Sequence, residues 1–199
     1  QEYLRQDGLT YRLVPVKNSE VNKDWVLDKM MNKFVFGNAN KKGVYFDEEN
    51  RRHLNSIRLA FAQAAGSLAD AGRKEEAKKM LNKCDQMMLE DNFSYGMVSR
   101  GQQHNQISLQ FLYAAYKAGD TVLAQKVTQR LRKDMEQQMA FYQTLTDNKR
   151  DNLSAEEERN ENLLKGLMAL EQQFKNQPPP VENTGQLQTQ PVKPDTPQK

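Results

Sequence analysis

The stretch Leu68-Ala-Asp-Ala-Gly-Arg-Lys-Glu-Glu-Ala77 decides the fold that we predict for this chain. Before it, apolar residues recur with a helical period over 48–71, with Asp47 as the predicted N-cap and Gly72 as the stop. After it, residues 73–89 repeat the period with one apolar face, made of Ala77, Met80, Leu81, Cys84 and Met88. Because only three residues separate the two segments, they are predicted to form an antiparallel helical hairpin.

A second hairpin is predicted around Gly119 and Asp120, which separate two further amphipathic segments. The apolar face of the first segment carries Ile107, Phe111, Leu112, Ala115 and Ala118. The second is a long helix over about 121–146, whose apolar face carries Ala124, Val127, Leu131, Met135, Met139 and Tyr142. A last helix is predicted to begin at Ser154, in a capping box with Glu157, and to present Leu163, Leu167, Leu170 and Phe174 as a terminal cap.

Aligned on Gly72 and Gly119, the two hairpins place a small residue, Ala77 or Ala124, five positions after the turn. A small side chain is needed there because the paired helices cross most closely just after the turn. The pattern resembles the tetratricopeptide repeat, which implies an all-α fold of tetratricopeptide-like antiparallel hairpins. The two glycines stand 47 positions apart rather than the 34 of that repeat, and the excess is assigned to an inserted loop over about 90–104.

The sequence divides the chain into three predicted parts. Residues 1–46 are predicted to hold a short extended segment near Tyr11 and one amphipathic helix around Met30. Residues 47–176 are predicted to form the tetratricopeptide-like domain. Residues 177–199 hold six of the seven prolines and no aromatic residue, which predicts a disordered tail.

Composition excludes several classes of function. Hydrophobic residues make up 37% of the 199 residues, mean hydropathy is −0.90, and no apolar run reaches the ~20 residues that a membrane-spanning helix needs. The 29 basic and 26 acidic residues are mixed along the chain, so the sequence predicts no nucleic-acid partner. Cys84, His53 and His104 are too few and too scattered for a zinc site, and we predict no metal and no cofactor.

The segment Glu2-Tyr-Leu-Arg-Gln-Asp-Gly-Leu-Thr-Tyr-Arg-Leu-Val-Pro-Val16, which precedes the helical hairpins, carries a second resemblance. It is similar to the C-terminal soluble region of a family of large multi-pass membrane proteins of Bacteroidetes, whose membrane half resembles protein O-mannosyltransferases. The resemblance implies a soluble appendage tethered at the periplasmic face of the inner membrane, with any catalytic machinery in the membrane part. The start at Gln1 rather than at methionine predicts a fragment or processed product of a longer protein.

A binding surface is predicted on the helix that ends at Ala118. In tetratricopeptide arrays the first helix of each pair lines a concave face, and the residues predicted to face it are Asp70, Gln106, Tyr113, Tyr116 and Lys117. Tyrosine rings beside an ammonium group offer contact area and hydrogen-bond donors to a protein, peptide or glycan partner. The inserted loop adds Phe93 and Tyr95, either as contact residues or as anchors on the core.

His104 is the candidate catalytic residue, because it lies where a polar loop enters a helix. A general base needs a nucleophile or an acid within hydrogen-bonding reach, and the sequence does not indicate such a partner for His104. We therefore predict a non-enzymatic interaction or substrate-presenting domain, with His104 among the residues of the binding surface. Two alternatives stay open at this point: a hydrolase that uses the loop around His104, and a purely structural cap of the membrane body.

Overall fold

The computed structural model describes residues 2–17 and 22–175, and this part of the chain is mostly helical with one small sheet. Its elements in chain order are β1 Leu4–Asp7, β2 Thr10–Leu13, α1 Lys23–Asn32, α2 Glu48–Asp70, α3 Lys74–Met87, α4 Gln103–Ala118, α5 Thr121–Gln143, α6 Asp147–Asn152 and α7 Ser154–Lys175. A 3-10 turn, Arg100–Gln102, leads directly into α4. The predicted tail, 177–199, lies outside the described residues.

The helices predicted on either side of Gly72 are present as α2 and α3, and they pack against each other. Asp47 caps α2 as predicted, because its Oδ1 accepts a hydrogen bond from the backbone N–H of Asn50 at 2.8 Å. Gly72 has a φ of 79°, a left-handed conformation that ends the helix at little cost in a residue without a Cβ. The predicted apolar face of α3 is buried at Ala77, Met80, Leu81 and Cys84.

The second predicted pair is present as α4 and α5, separated by Gly119 with a φ of 76°. Asp120 is the N-cap of α5, and its Oδ1 accepts a hydrogen bond from the backbone N–H of Leu123 at 3.0 Å. The capping box predicted at Ser154 is wrong, because Ser154 is the first residue of α7 and the Glu157 carboxylate instead accepts from the Arg150 guanidinium at 2.6 Å. The short helix α6 was missed, because its sequence is entirely polar and has no apolar period.

The helices form one packed array in which α2 contacts both α3 and α4, α4 contacts α5, and α5 contacts α7. Arg58 of α2 bonds to Ser108 of α4, whereas Asp70 of α2 forms an ion pair with Lys117 of α4 further along the two helices. Because residue numbers rise together across this contact, α2 and α4 run in the same direction. None of the described helices combines the length and the apolar character that crossing a membrane requires.

The N-terminal region consists of a small β-hairpin and a helix that joins the hydrophobic core. Strands β1 and β2 form an antiparallel hairpin in which Leu4 pairs with Leu13, so the predicted extended segment has a partner strand that the sequence analysis missed. Helix α1 packs on α2 and α3 through Val26 and Met30, which are buried. One hydrophobic cluster includes these two residues together with the buried residues of α2 to α5 and Leu167 of α7.

Candidate functional site

A groove of about 840 Å³ lies between the C-terminal half of α2 and the middle of α4. Its floor consists of small residues, Ala62 and Gly66 from α2 and Ala114 from α4, and Ala71 lines it just after the end of α2. Gly66 leaves the most room, because a Cβ added at this position would meet nothing within 4 Å. Small side chains here let the two helices lie close together and leave an open depression above the contact. We call this depression the α2–α4 groove.

The walls of the α2–α4 groove are polar. Gln63, Ser67 and Asp70 stand on the α2 side, Gln110 and Tyr113 stand on the α4 side, and Lys23 of α1 closes one edge. The side-chain Oε1 of Gln63 accepts a long hydrogen bond of 3.5 Å from the Tyr11 hydroxyl. This bond places the N-terminal hairpin beside the groove. Each glutamine carries both a donor and an acceptor, so the walls offer the same pair of groups that a peptide unit presents.

Three of the predicted surface residues meet at this groove. Asp70 and Tyr113 line it, and Lys117 forms an ion pair with Asp70. The Lys117 ammonium also lies 5.2 Å from the centre of the Tyr113 ring, and Tyr113 is 42% exposed. The phenol, ammonium and carboxylate are therefore adjacent on α2 and α4, at the side of the molecule where the sequence analysis predicted them.

Tyr116 has a different environment from Tyr113. Its ring stacks on Phe174 of α7 with a centroid distance of 4.7 Å and an interplanar angle of 7°, and its hydroxyl lies 3.5 Å from Thr128 Oγ1 of α5. Phe174 also meets the Tyr113 ring edge-on at 6.1 Å. Tyr116 therefore helps to hold α7 on the array, and only Tyr113 presents its ring to the groove.

The inserted loop does not supply surface aromatics. Phe93 is fully buried and Tyr95 is 2% exposed, so the expectation that they contribute to a binding surface is wrong and the anchoring alternative holds. The physical reason is a cation from α2: the Arg58 guanidinium carbon lies 4.3 Å from the centre of the Phe93 ring and 4.4 Å from that of Tyr95. The two rings therefore contact a buried cation instead of solvent.

Arg58 is the residue that the sequence analysis missed. It is 1% exposed, and its guanidinium donates to the backbone carbonyl oxygens of Phe93 at 2.8 Å and Ser94 at 3.1 Å and to the Ser108 hydroxyl at 3.2 Å. Burial lowers the pKa of Arg58. The available signal was its spacing, because Arg58 lies four residues after Leu54 and three before Phe61 on the apolar stripe of α2.

His104 is 1% exposed and lies beside Arg58 inside the molecule, so the expectation that it belongs to the binding surface is wrong. Its Nε2 is 2.7 Å from the carbonyl oxygen of Ser94, which is the distance of a donated hydrogen bond. Burial, followed by the positive charge of Arg58, lowers the pKa of His104 to about 3. The imidazole is therefore neutral at physiological pH and serves to hold the loop.

The remaining predicted residue, Gln106, is exposed in the first turn of α4, where its Nε2 donates to the Gly101 carbonyl oxygen at 3.4 Å. It lies at the opposite end of α4 from Tyr113. The α2–α4 groove instead uses Gln63 and Gln110, which the sequence analysis did not single out because isolated glutamines on a helix carry no motif. Among the described residues, no group of three His, Cys, Asp or Glu side chains is arranged to hold a metal ion.

No protein-family model, curated protein or solved structure matches this chain. The function must therefore be argued from the groove and from the chemistry of its walls.

Proposed function

We propose that this chain is a non-enzymatic, tetratricopeptide-like interaction domain that binds an extended peptide segment in the α2–α4 groove. The observation that carries the proposal is the combination of a floor of alanine and glycine with amide-bearing walls. Small floor residues let a backbone approach closely, and Gln63 and Gln110 offer donors and acceptors to peptide groups. Tyr113 adds a half-exposed ring for a side chain of the bound segment.

The packing of the helices supports the tetratricopeptide-like part of the proposal. The first helices of the two hairpins, α2 and α4, lie side by side in the same direction, and the α2–α4 groove lies between them. This is the arrangement in which stacked helical pairs present a shared surface from their first helices. Helix α7 covers the far side of α4 through Phe174, so the array is closed at that end.

The state of His104 supports a non-enzymatic role. A general acid or base works best with a pKa near the operating pH, and burial holds the pKa of His104 at about 3. The thiol of Cys84 is buried in the core, and burial raises its pKa to about 12, which disfavours the thiolate that a nucleophile requires. The hydrolase alternative would need one of these groups to reach a substrate.

The resemblance of residues 2–16 to the C-terminal region of membrane proteins related to O-mannosyltransferases supports a wider proposal. In it, the groove captures a segment of a secreted or membrane polypeptide on the periplasmic side and holds it near the membrane body. The peptide-binding role of the groove and this cellular placement are separable, and each can fail without the other.

The test of peptide binding fills the groove without disturbing the core. Gly66→Leu places an isobutyl group where an added Cβ meets nothing within 4 Å, so the fold is expected to tolerate it. Ser56→Leu, at an exposed position ten residues earlier on α2, adds the same group outside the groove and serves as the matched control. Peptides selected from a random display library on the unmodified protein are then titrated against all three proteins by fluorescence anisotropy.

We expect Gly66→Leu to weaken the selected peptides by at least ~10-fold and Ser56→Leu to leave their affinity unchanged. Peptides that bind Gly66→Leu as tightly as the unmodified protein would show that the groove is not their site. An oligosaccharide panel is titrated in parallel, and glycan binding that is lost in Gly66→Leu, without peptide binding, would replace the peptide by a glycan. Thermal unfolding of each variant confirms that any loss occurs in a folded protein.

A further inference from the structure

A second, separate pocket of about 320 Å³ lies at the other end of the contact between α2 and α4. Its lining comes from the first two turns of α2, the segment before α4 and the start of α4. The polar residues that matter here are Arg51, Asn55, Ser99, Arg100, Gln103 and His104. We call this site the arginine pocket. It shares no lining residue with the α2–α4 groove.

Two buried polar atoms on this lining lack hydrogen-bond partners among the described residues. One is Oδ1 of Asn55, a residue that is 7% exposed, and the other is Nε of Arg51. A buried acceptor or donor that lacks a hydrogen bond is unfavourable because it has lost its bonds to water, so native proteins rarely leave one unpaired. The lining of the arginine pocket therefore includes one unused acceptor and one unused donor, on residues four positions apart on α2.

The charge of the site is positive. Arg51, Arg52 and Arg100 all line the pocket, and within residues 2–17 and 22–175 Arg52 is the one of the three that has a carboxylate partner, Glu49. Beneath them lies the buried cation of Arg58, whose hydrogen-bond acceptors are carbonyl and hydroxyl oxygens, and His104 is neutral. Glu48 is the acidic residue in the lining, and the three arginines of the lining outnumber it.

We propose that the arginine pocket binds a small organic anion whose carboxylate or phosphate group lies next to a hydroxyl, as in an acidic or phosphorylated sugar. The guanidinium groups of Arg51 and Arg100 bind the charged oxygens, because their planar donors match carboxylate and phosphate geometry. Asn55 Oδ1 accepts a hydrogen bond from the neighbouring hydroxyl. A volume of about 320 Å³ suits a ligand of monosaccharide size and is at the lower end of known ligand pockets.

The ligand class follows from the pairing of these two unused groups. A bare anion without a hydroxyl, such as acetate or sulfate, would satisfy the guanidinium groups and leave the Asn55 acceptor unpaired. A neutral sugar would pair with Asn55 and leave the cations without a counter-charge. Only a ligand with both features satisfies the whole site, which is why an acidic or phosphorylated sugar is preferred over either fragment.

The test compares four probes by isothermal titration calorimetry at low ionic strength: glucuronate, glucose 6-phosphate, glucose and sulfate. Sulfate supplies the negative charge without a hydroxyl donor. We expect glucuronate or glucose 6-phosphate to bind at least ~10-fold more tightly than glucose and sulfate, and the better of the two identifies the charged group. Glucose binding as well as the charged sugars, or sulfate as well as the charged sugars, would overturn the proposal.

Variants locate the binding. Arg51→Gln and Arg100→Gln are each expected to weaken the charged sugar by about tenfold, and Asn55→Leu is expected to abolish its advantage over sulfate. Lys79→Gln, which removes one exposed positive charge on α3 outside this lining, is the matched control and should change nothing. Equal weakening by Lys79→Gln would reduce the effect to net charge and contradict a built site. Arg100 is exposed, so Arg100→Gln keeps the test valid if Arg51→Gln fails to fold.

Discussion

The two halves of α2 pack against α4 with different kinds of side chain. In the C-terminal half, alanines and one glycine face α4, and the helices approach closely with a groove above them. In the N-terminal half, Arg58 and Asn55 are buried instead, and the space around the guanidinium is filled by the rings of Phe93 and Tyr95. In the C-terminal half of α2, the contact with α4 involves the two helices alone. In the N-terminal half, the contact also needs the loop before α4.

This difference separates local from long-range determinants of the fold. A stripe of small residues is sufficient to bring two helices together. Such residues recur about once per turn along each helix, so the contact needs only α2 and α4. A buried guanidinium requires acceptors that α2 cannot provide, and the loop delivers them 35 and 36 residues away through the carbonyl oxygens of Phe93 and Ser94. The loop is itself anchored, since Asn92 Nδ2 donates to the carbonyl oxygen of Ala39 at 2.9 Å.

The largest effect is expected at Arg58. Arg58→Ala leaves a cavity between the two aromatic rings and removes the donors that satisfy two backbone carbonyls, so it should destabilise the fold by about 3–5 kcal/mol. Urea unfolding followed by circular dichroism measures the loss. Arg52→Ala, at an exposed arginine paired with Glu49, is the matched control and should cost less than about 1 kcal/mol. Equal losses in the two variants would contradict a special role for the buried cation.

A smaller loss is expected where the loop meets α5. A Cβ added to Gly96 would lie 2.4 Å from the Arg130 carbonyl oxygen and 2.6 Å from Asp134 Cβ, so Gly96→Ala must push the loop away from the helix. We expect a cost of about 1–3 kcal/mol in urea unfolding. A neutral result would mean that the loop shifts freely and that its contacts with Arg58 are not tightly fixed.

His104 makes the loop end of α2 sensitive to acid. Its pKa is 6.5 in an unfolded chain and about 3 in the folded protein, so the unfolded state binds the extra proton between these values. Its contribution is fully present above pH 6.5 and is lost as the pH falls toward 3. At pH 5 the loss is about 2 kcal/mol relative to neutral pH. His104→Gln should lose less stability than the unmodified protein between pH 7 and pH 5, and equal losses would contradict a buried neutral imidazole.

The same comparison explains how far the sequence predicts this molecule. The periods of α2 to α5 and the turn glycines Gly72 and Gly119 are local signals, and the helices they predict are present. The predicted meeting of Asp70, Tyr113 and Lys117 follows from helix spacing combined with the hairpin alignment. These features need only short-range information and one repeat.

The sequence analysis failed to predict burial at residues whose partners lie far away in the sequence. In the hydrophobic pattern of the sequence, Arg58 has the appearance of a solvent-exposed charge. Its burial depends on carbonyl groups and aromatic rings from a loop that shows no hydrophobic periodicity. Phe93, Tyr95 and His104 look like surface candidates for the same reason, because their buried partner lies on another helix. The arginine pocket depends on this loop as well, since Ser99 and Arg100 form one of its sides.

The smallest expected effect lies at the other end of α2 and has the opposite sign. Gly66 is inside the helix, and an added Cβ would meet nothing within 4 Å, so Gly66→Ala should raise stability by up to about 1 kcal/mol through helix propensity alone. Gly96→Ala is the contrasting case, because the same added methyl group meets backbone there. The urea midpoint of Gly66→Ala should rise without a change in slope. A fall would mean that the small-residue contact between α2 and α4 has no spare space at this position, and that the α2–α4 groove is too tight to admit a peptide backbone.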